Sequence, residues 1–398
     1  MLRVSFPYAI SCDSYVQEYL VSTAATLAPV PMNDLALQHA TIAAQLEAAM
    51  AQTVQECSFI LGPAVVAFEQ AYAAYCGVDH CIGVSNGTDA LTLALKCLDL
   101  QPGDEVITTP HTFGATAEAV GHLGAQIVFA DVEDEYLTLD AARVAERITD
   151  RTRVILPVHI YGHPADLDPL RTLADDHGAH LIEDAAQAQG ARYKGDVVGS
   201  LGVAGCFSFY PGKNLGAYGD AGGITTSDSA MATRIRSLRN HGQVAGGAKF
   251  TYGELGYNHR MDGLQGAVLD VKLKHLERWN VRRREIAKRY DEGLAGLDGL
   301  STPSTAAWAD PVYHLYVIRC NDRDALAAAL KERQIQTAVQ YPVPLHATTA
   351  FSDCGAAVGD LPVTEKACEQ ILSLPIFPEL DDTQVDRVIE AVRDFFGA

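Results

Sequence analysis

The sequence predicts an α/β protein of two lobes, a large domain on a mostly parallel sheet and a smaller α+β C-terminal domain. Short apolar runs alternate with amphipathic stretches from Cys81 onward, the pattern of a sheet covered by helices. A length of 398 residues, 48% of them hydrophobic, exceeds the size at which single cores usually stop growing. The expected divisions are an N-terminal extension over 1–31, a large domain over 32–275 and a small domain over 276–398, because the globular pattern opens at Met32 in PMNDL.

Residues 35–56 and 64–76 carry apolar side chains at helical spacing and are separated by the breaker pair Gly62 and Pro63. CIGV, DEVITT, QIVFA, TRVILPV, AHLIED, GCFSFY and GGITT then read as strands. Residues 262–293 give the longest helical pattern, a spine between lobes whose basic run keeps one face in water. Strand-like YHLYVIR, a helix from Arg323 to Arg333, strand-like QIQTAVQY and a helix from Asp382 to Phe396 complete the small lobe. In a mostly parallel sheet, ligands gather beyond the carboxyl ends of the strands.

A formal charge of -20 disfavours nucleic acid and anionic lipid surfaces as partners. No apolar run reaches the roughly 20 residues of a membrane helix, and no secretory signal opens the chain. Nine scattered cysteines lack the close pairs of zinc or redox motifs, so no metal site is expected, and reduced thiols fit a cytoplasmic protein.

Five stretches bear on chemistry. In CIGVSNGTDALTLALKCL a strand, a glycine turn and a helix set the amides near Gly87 and Thr88 at a helix N-terminus, which binds phosphate; a capped tight turn reads the same. Asp184 emerges at the end of AHLIED, followed by Gln187. A buried carboxylate there suits a protonated pyridine nitrogen, although Glu183 or Asp184 as a helix cap is the commoner outcome. GCFSFYPGKNLGAYGDAGG carries Lys213, with no other lysine between Lys194 and Lys249. A desolvated lysine amine condenses with aldehydes, and Ser208 offers a hydroxyl to phosphate; a surface lysine in a loop is the bland alternative. Phe113 in TTPHTFGATAEAV follows a strand end and suits a stacking role or the core. Asn258 and Arg260 in LGYNHRMDGLQGAVL suit phosphate contacts within or across subunits, or turn positions.

With these motifs in order, the chain from about Met32 to its C-terminus resembles the DegT/DnrJ/EryC1/StrS family of sugar aminotransferases. The matching text is SNGTDAL, PHTFGATAEA, PVHIYGHPADLDPL, IEDAAQAQGA, FSFYPGKNLGAYGDAGG, LGYNHRMDGLQGAVL and YPVPLH. The resemblance implies fold type I of pyridoxal 5'-phosphate (PLP) transferases, a homodimer with shared sites, and L-glutamate as amino donor. It also implies that Lys213 is the Schiff-base lysine, that Asp184 pairs with the pyridine nitrogen and Gln187 with the ring hydroxyl oxygen, and that Phe113 stacks on the ring. Gly87, Thr88 and Ser208 would hold the phosphate, with Asn258 reaching it from the partner subunit. Lys249, Arg260, Tyr341 and His346 become candidates for contacts with the substrate.

The expected reaction is two half-reactions on one lysine. Glutamate leaves its amino group on the cofactor, and a nucleotide-linked keto-hexose takes it up, with a dTDP-3-keto-6-deoxyhexose as the first choice. A 4-keto sugar or a keto-cyclitol of the scyllo-inosose type is the alternative acceptor. Sugar dehydratases of this fold typically carry histidine at the lysine position, so Lys213 argues against that branch. Retention of the lysine, the aspartate and the phosphate loop argues against a non-catalytic regulator.

Overall fold

The computed structural model describes residues 28–244, 246–248 and 250–397. The helices are α1 (Leu35–Gln55), α2 (Pro63–Cys76), α3 (Gly87–Lys96), α4 (Ala115–His122), α5 (Ala141–Ala145), α6 (Leu167–His177), α7 (Ser229–Leu238), α8 (Gly263–Leu294), α9 (Arg323–Glu332), α10 (Pro362–Gln370) and α11 (Asp382–Phe395). The strands are β1 (His80–Val84), β2 (Glu105–Thr108), β3 (Gln126–Phe129), β4 (Thr152–Ile155), β5 (His180–Asp184), β6 (Arg192–Tyr193), β7 (Asp196–Val197), β8 (Ala204–Ser208), β9 (Gly222–Thr226), β10 (Leu300–Ser301), β11 (Ala309–Asp310), β12 (Tyr316–Cys320) and β13 (Ile371–Leu374).

All seven strands read from the large-lobe sequence join one sheet in the order β1-β9-β8-β5-β4-β2-β3. Only β9 runs against its neighbours; the pairs from β8 through β3 are parallel. Their near-continuous burial is what a sheet covered on both faces requires. One core lies between the sheet and α2, α6 and α8, the other between the sheet and α3, α4 and α7. The helix limits follow local chemistry. Pro63 opens α2 after Gly62 at φ +89°, and Gly77 closes it in the left-handed region. An Asp381/Gln384 capping box opens α11.

The spine helix is present as α8, 32 residues long. It runs unbroken through residue 276, giving Leu269 and Leu276 to the large core and Ile286, Tyr290 and Leu294 to the small one. Contacts with the fold are already present ahead of Met32: Arg387 donates to the Ala28 carbonyl, and Val30 is fully buried and bridges Ile335. The rest of the expected N-terminal extension, residues 1–27, lies outside the described residues.

QIQTAVQY differs from expectation. It forms single bridges, Ile335 to Val30 and Ala338 to Ser373, and no ladder, because its backbone is divided between two partners. The small-lobe sheet is instead β10-β12-β13. Among the described residues no helix is long and apolar enough to cross a membrane, and the eight described cysteines are free.

Candidate active site

The carboxyl ends of β1, β2, β4, β5 and β8 open into a cavity of about 750 Å³, lined among others by Gly87, Thr88, Phe113, Asp184, Gln187, Ser208, Lys213 and Tyr341. Eight residues singled out in the sequence, separated by up to 254 positions, thus meet in one place.

At one end stands the first turn of α3. Its apolar face, from Ala90 to Leu95, is buried, which fixes where the helix begins. Asn86 caps it by accepting from the Asp89 amide at 2.8 Å. The Gly87 and Thr88 amides come before any intrahelical acceptor and point out of the helix. Ser208 abuts this turn. A Cβ at residue 87 would stand 2.7 Å from the Ser208 Cβ, so strand and helix approach only because residue 87 is glycine.

Asp184 ends β5, 3% exposed. Its Oδ2 accepts from Thr116 Oγ1 at 2.8 Å and its Oδ1 from the Ala186 amide at 3.1 Å. Burial pushes the carboxyl upward, while Thr116, the Ala186 amide and the Lys213 amine pull the other way. Glu183 points to the opposite face, where it takes His159 Nε2 at 3.0 Å and the amides of Gly199, Leu201 and Gly202. Burial would raise it too, but His159 and these amides outweigh that and hold it low. Neither carboxylate caps a helix.

Lys213 follows β8 in a tight turn in which its amide donates to the Tyr210 carbonyl at 2.8 Å. A Cβ on Gly216 would sit 2.2 Å from the Pro211 carbonyl oxygen, and Lys272 Nζ donates to the Gly216 carbonyl at 2.7 Å. Burial lowers the Lys213 amine to about 8 against the pull of Asp184. Gln187 accepts from the Tyr161 amide through Oε1 at 2.7 Å and donates through Nε2 to Tyr341 Oη at 3.2 Å, so its amino group faces the cavity side. The Phe113 ring is 60% exposed and lies 6.0 Å from that of Tyr341.

The remaining candidates stand apart. Asn258 is exposed and bridges Asn240; Arg260 donates to Asn240 Oδ1 at 2.9 Å; neither lines the cavity of its own chain. The ring of His346 is buried, with Nε2 3.0 Å from Glu365 Oε1 and Phe129 alongside, and does not line this cavity. Lys249 lies outside the described residues. Thr116, Thr112 and Tyr161 escaped sequence reasoning. Thr112 and Thr116 are four apart beside a strand end and linked at 2.8 Å, a spacing that offered a signal. Tyr161 acts through its backbone amide, which leaves no mark in the sequence. Among the described residues no group of three or more His, Cys, Asp or Glu could hold a metal.

Residues 40–393 match the model of the DegT/DnrJ/EryC1/StrS aminotransferase family. The chain is 46% identical over 375 residues to dTDP-3-amino-3,4,6-trideoxy-alpha-D-glucose transaminase of Streptomyces venezuelae, covering 94% of this chain and 98% of the relative. Its fold is similar to the crystal structure of S. venezuelae DesV in complex with a ketimine intermediate, with a TM-score of 0.90 at 46% identity over 93% of this chain and 99% of that one. It is also similar to NtdA from Bacillus subtilis with bound cofactor PMP, with a TM-score of 0.87 at 30% identity over 94% and 86% of the two chains.

Proposed function

The chain belongs to the DegT/DnrJ/EryC1/StrS aminotransferase family and is a PLP-dependent sugar aminotransferase; on that premise we propose that it aminates carbon 3 of a nucleotide-linked keto-hexose, first a dTDP-3-keto-6-deoxyhexose, with L-glutamate as donor. The convergence of Lys213, Asp184 and the first turn of α3 on one cavity carries this reading. The name of the S. venezuelae relative supports the 3-position and the dTDP carrier.

The residues fit the cofactor. Asp184 is a buried carboxylate with two donors and no cation within ion-pair distance among the described residues, the setting that suits a pyridinium. The cradle at Gly87 leaves room for a phosphate against outward-pointing amides. Pyridoxal phosphate supplies an electron sink for the carbon that gains or loses the proton.

In this reading Lys213 is the attachment point. Its lowered basicity leaves part of it as free amine near neutral pH, able to carry a proton between substrate and cofactor. Asp184, braced by Thr116, would pair with the ring nitrogen and favour its protonated form. Gln187, whose amino group faces the cavity side, would donate to the ring hydroxyl oxygen, and Phe113, on the cavity wall, would stack on the ring. Gly87, Thr88 and Ser208 hold the phosphate, and Asn258 of a second subunit completes it in a homodimer. Arg260, Lys249 and Tyr341 meet the nucleotide sugar. The cytoplasm is the expected compartment.

The test is to incubate the purified enzyme with L-glutamate and a panel of nucleotide-linked 3-keto and 4-keto hexoses and scyllo-inosose, identifying products by mass spectrometry and NMR. A 3-amino nucleotide sugar is expected. Turnover of the cyclitol alone would refute the substrate assignment.

A further inference from the structure

A second cavity of about 300 Å³ adjoins the first and shares Gln187, Tyr210, Lys213 and Tyr341 with it. Its other walls include Asn33, Arg283 and His314. Arg283 projects from α8 and is 3% exposed. Its Nη1 donates to the carbonyls of Tyr313, His314 and Ile376 at 3.0, 3.3 and 3.0 Å. Nε has no partner, and among the described residues Nη2 forms no hydrogen bond and no carboxylate lies within 4 Å. Glu379 acts on it only from longer range. A buried guanidinium held by neutral carbonyls, with its nearest acting carboxylate beyond ion-pair distance, is only partly compensated, and such charges ordinarily have a counter-ion in contact.

His314 does not supply one. Asn214 donates through Nδ2 to Asn280 Oδ1 and to the Val312 carbonyl, both at 3.0 Å, which turns its Oδ1 to His314 Nδ1 at 3.2 Å. The ring hydrogen is therefore on Nδ1, and Nε2 is left as an acceptor. Burial, with Lys213 and Arg283 nearby, keeps this imidazole neutral.

We propose that this smaller cavity seats a carboxylate of the amino donor, with Arg283 as its counter-charge. The inference rests on the aminotransferase reading. The donor must bring an amine to Lys213 while its carboxylates find positive charge. Among the described residues the larger cavity offers none beyond Lys213 itself and presents Asp89, Asp184 and Asp220. A space of about 300 Å³ holds a small amino acid and excludes a nucleotide, which separates this anion from the diphosphate of the acceptor.

Single-turnover kinetics of the two half-reactions test it. Arg283→Lys and Asn33→Asp are expected to weaken L-glutamate about 10- to 100-fold and to change the keto-sugar half-reaction by less than about twofold. Glutarate, which has the carboxylates without the amine, is expected to bind wild-type holoenzyme in calorimetry and to lose affinity in both variants. Asn33 is exposed, so its variant and the glutarate measurement still decide the matter where the Arg283 variant does not fold. Unchanged glutamate constants in Asn33→Asp, with glutarate bound away from Arg283 in a crystal structure of the complex, overturn the proposal. Absence of transfer from L-glutamate in the wild type refutes the donor reading itself.

Discussion

Lys213 has a titration consequence that is independent of turnover. Its amine is lowered from 10.5 to about 8 in the folded chain, whereas the unfolded chain keeps the ordinary value. Below pH 8 both states are protonated and the folded state bears the buried ammonium. Between pH 8 and 10.5 the unfolded state binds more protons at this group, so the contribution of Lys213 to stability rises with pH across that window. In urea melts of the cofactor-free protein this is expected as a stability difference between Lys213→Met and wild type that narrows as pH rises through the window, because buried thiols and phenols held above their ordinary values tilt the total the other way in both proteins alike. Lys272, lowered to about 8 as well, contributes the same slope to both proteins and cancels in the difference. At this scale the sequence was readable where a residue's chemistry is rare in context, such as a lone lysine after an apolar strand. The surroundings of His346 were not readable, because Glu365, 19 residues away, and Phe129 enclose it, and no local pattern announces that pairing.

Among the elements, α3 bears most directly on the site. Gly87→Ala sets a methyl 2.7 Å from the Ser208 Cβ at the seam of α3 and β8. A cost of roughly 1–3 kcal/mol is expected for such overpacking, together with weaker cofactor binding, since the amides proposed to hold the phosphate must shift. Thermal melts with and without pyridoxal phosphate check both: a loss of Tm in the cofactor-free protein and a smaller cofactor-induced rise. An unchanged response to cofactor would remove α3 from the phosphate site. The large-lobe strands were legible because runs such as EVIT and QIVF, between helical stretches, suit a doubly covered sheet. The junction of α10 and β13 was not, since Gln370 passes straight into Ile371 without a turn residue to separate them. α10 itself starts on the large lobe's Asp131, which accepts the Val363 and Thr364 amides, a long-range cap with no sequence signature.

For the whole molecule, the expectation is a dimer whose sites borrow Asn258 across the boundary. Lys213→Ala and Asn258→Asp should each be nearly inactive, the second because a carboxylate would meet the phosphate. Mixed by denaturation and refolding, hybrids carry one intact site, so activity is expected to return to about a quarter of the wild-type rate. No recovery above the separate variants would confine each site to a single chain. The expectation of shared sites comes from family resemblance alone, because an exposed asparagine such as Asn258 carries no local signal of a partner.

The unbroken course of α8 through both cores has a mechanical meaning. A helix of 32 residues anchored at each end behaves as a girder, and swinging one lobe from the other would demand bending it or stripping Tyr290 and Leu276 from their neighbours. A hinge between the lobes is therefore expected to be stiff, so that bulky sugars meet an entrance whose width is set by the frame itself.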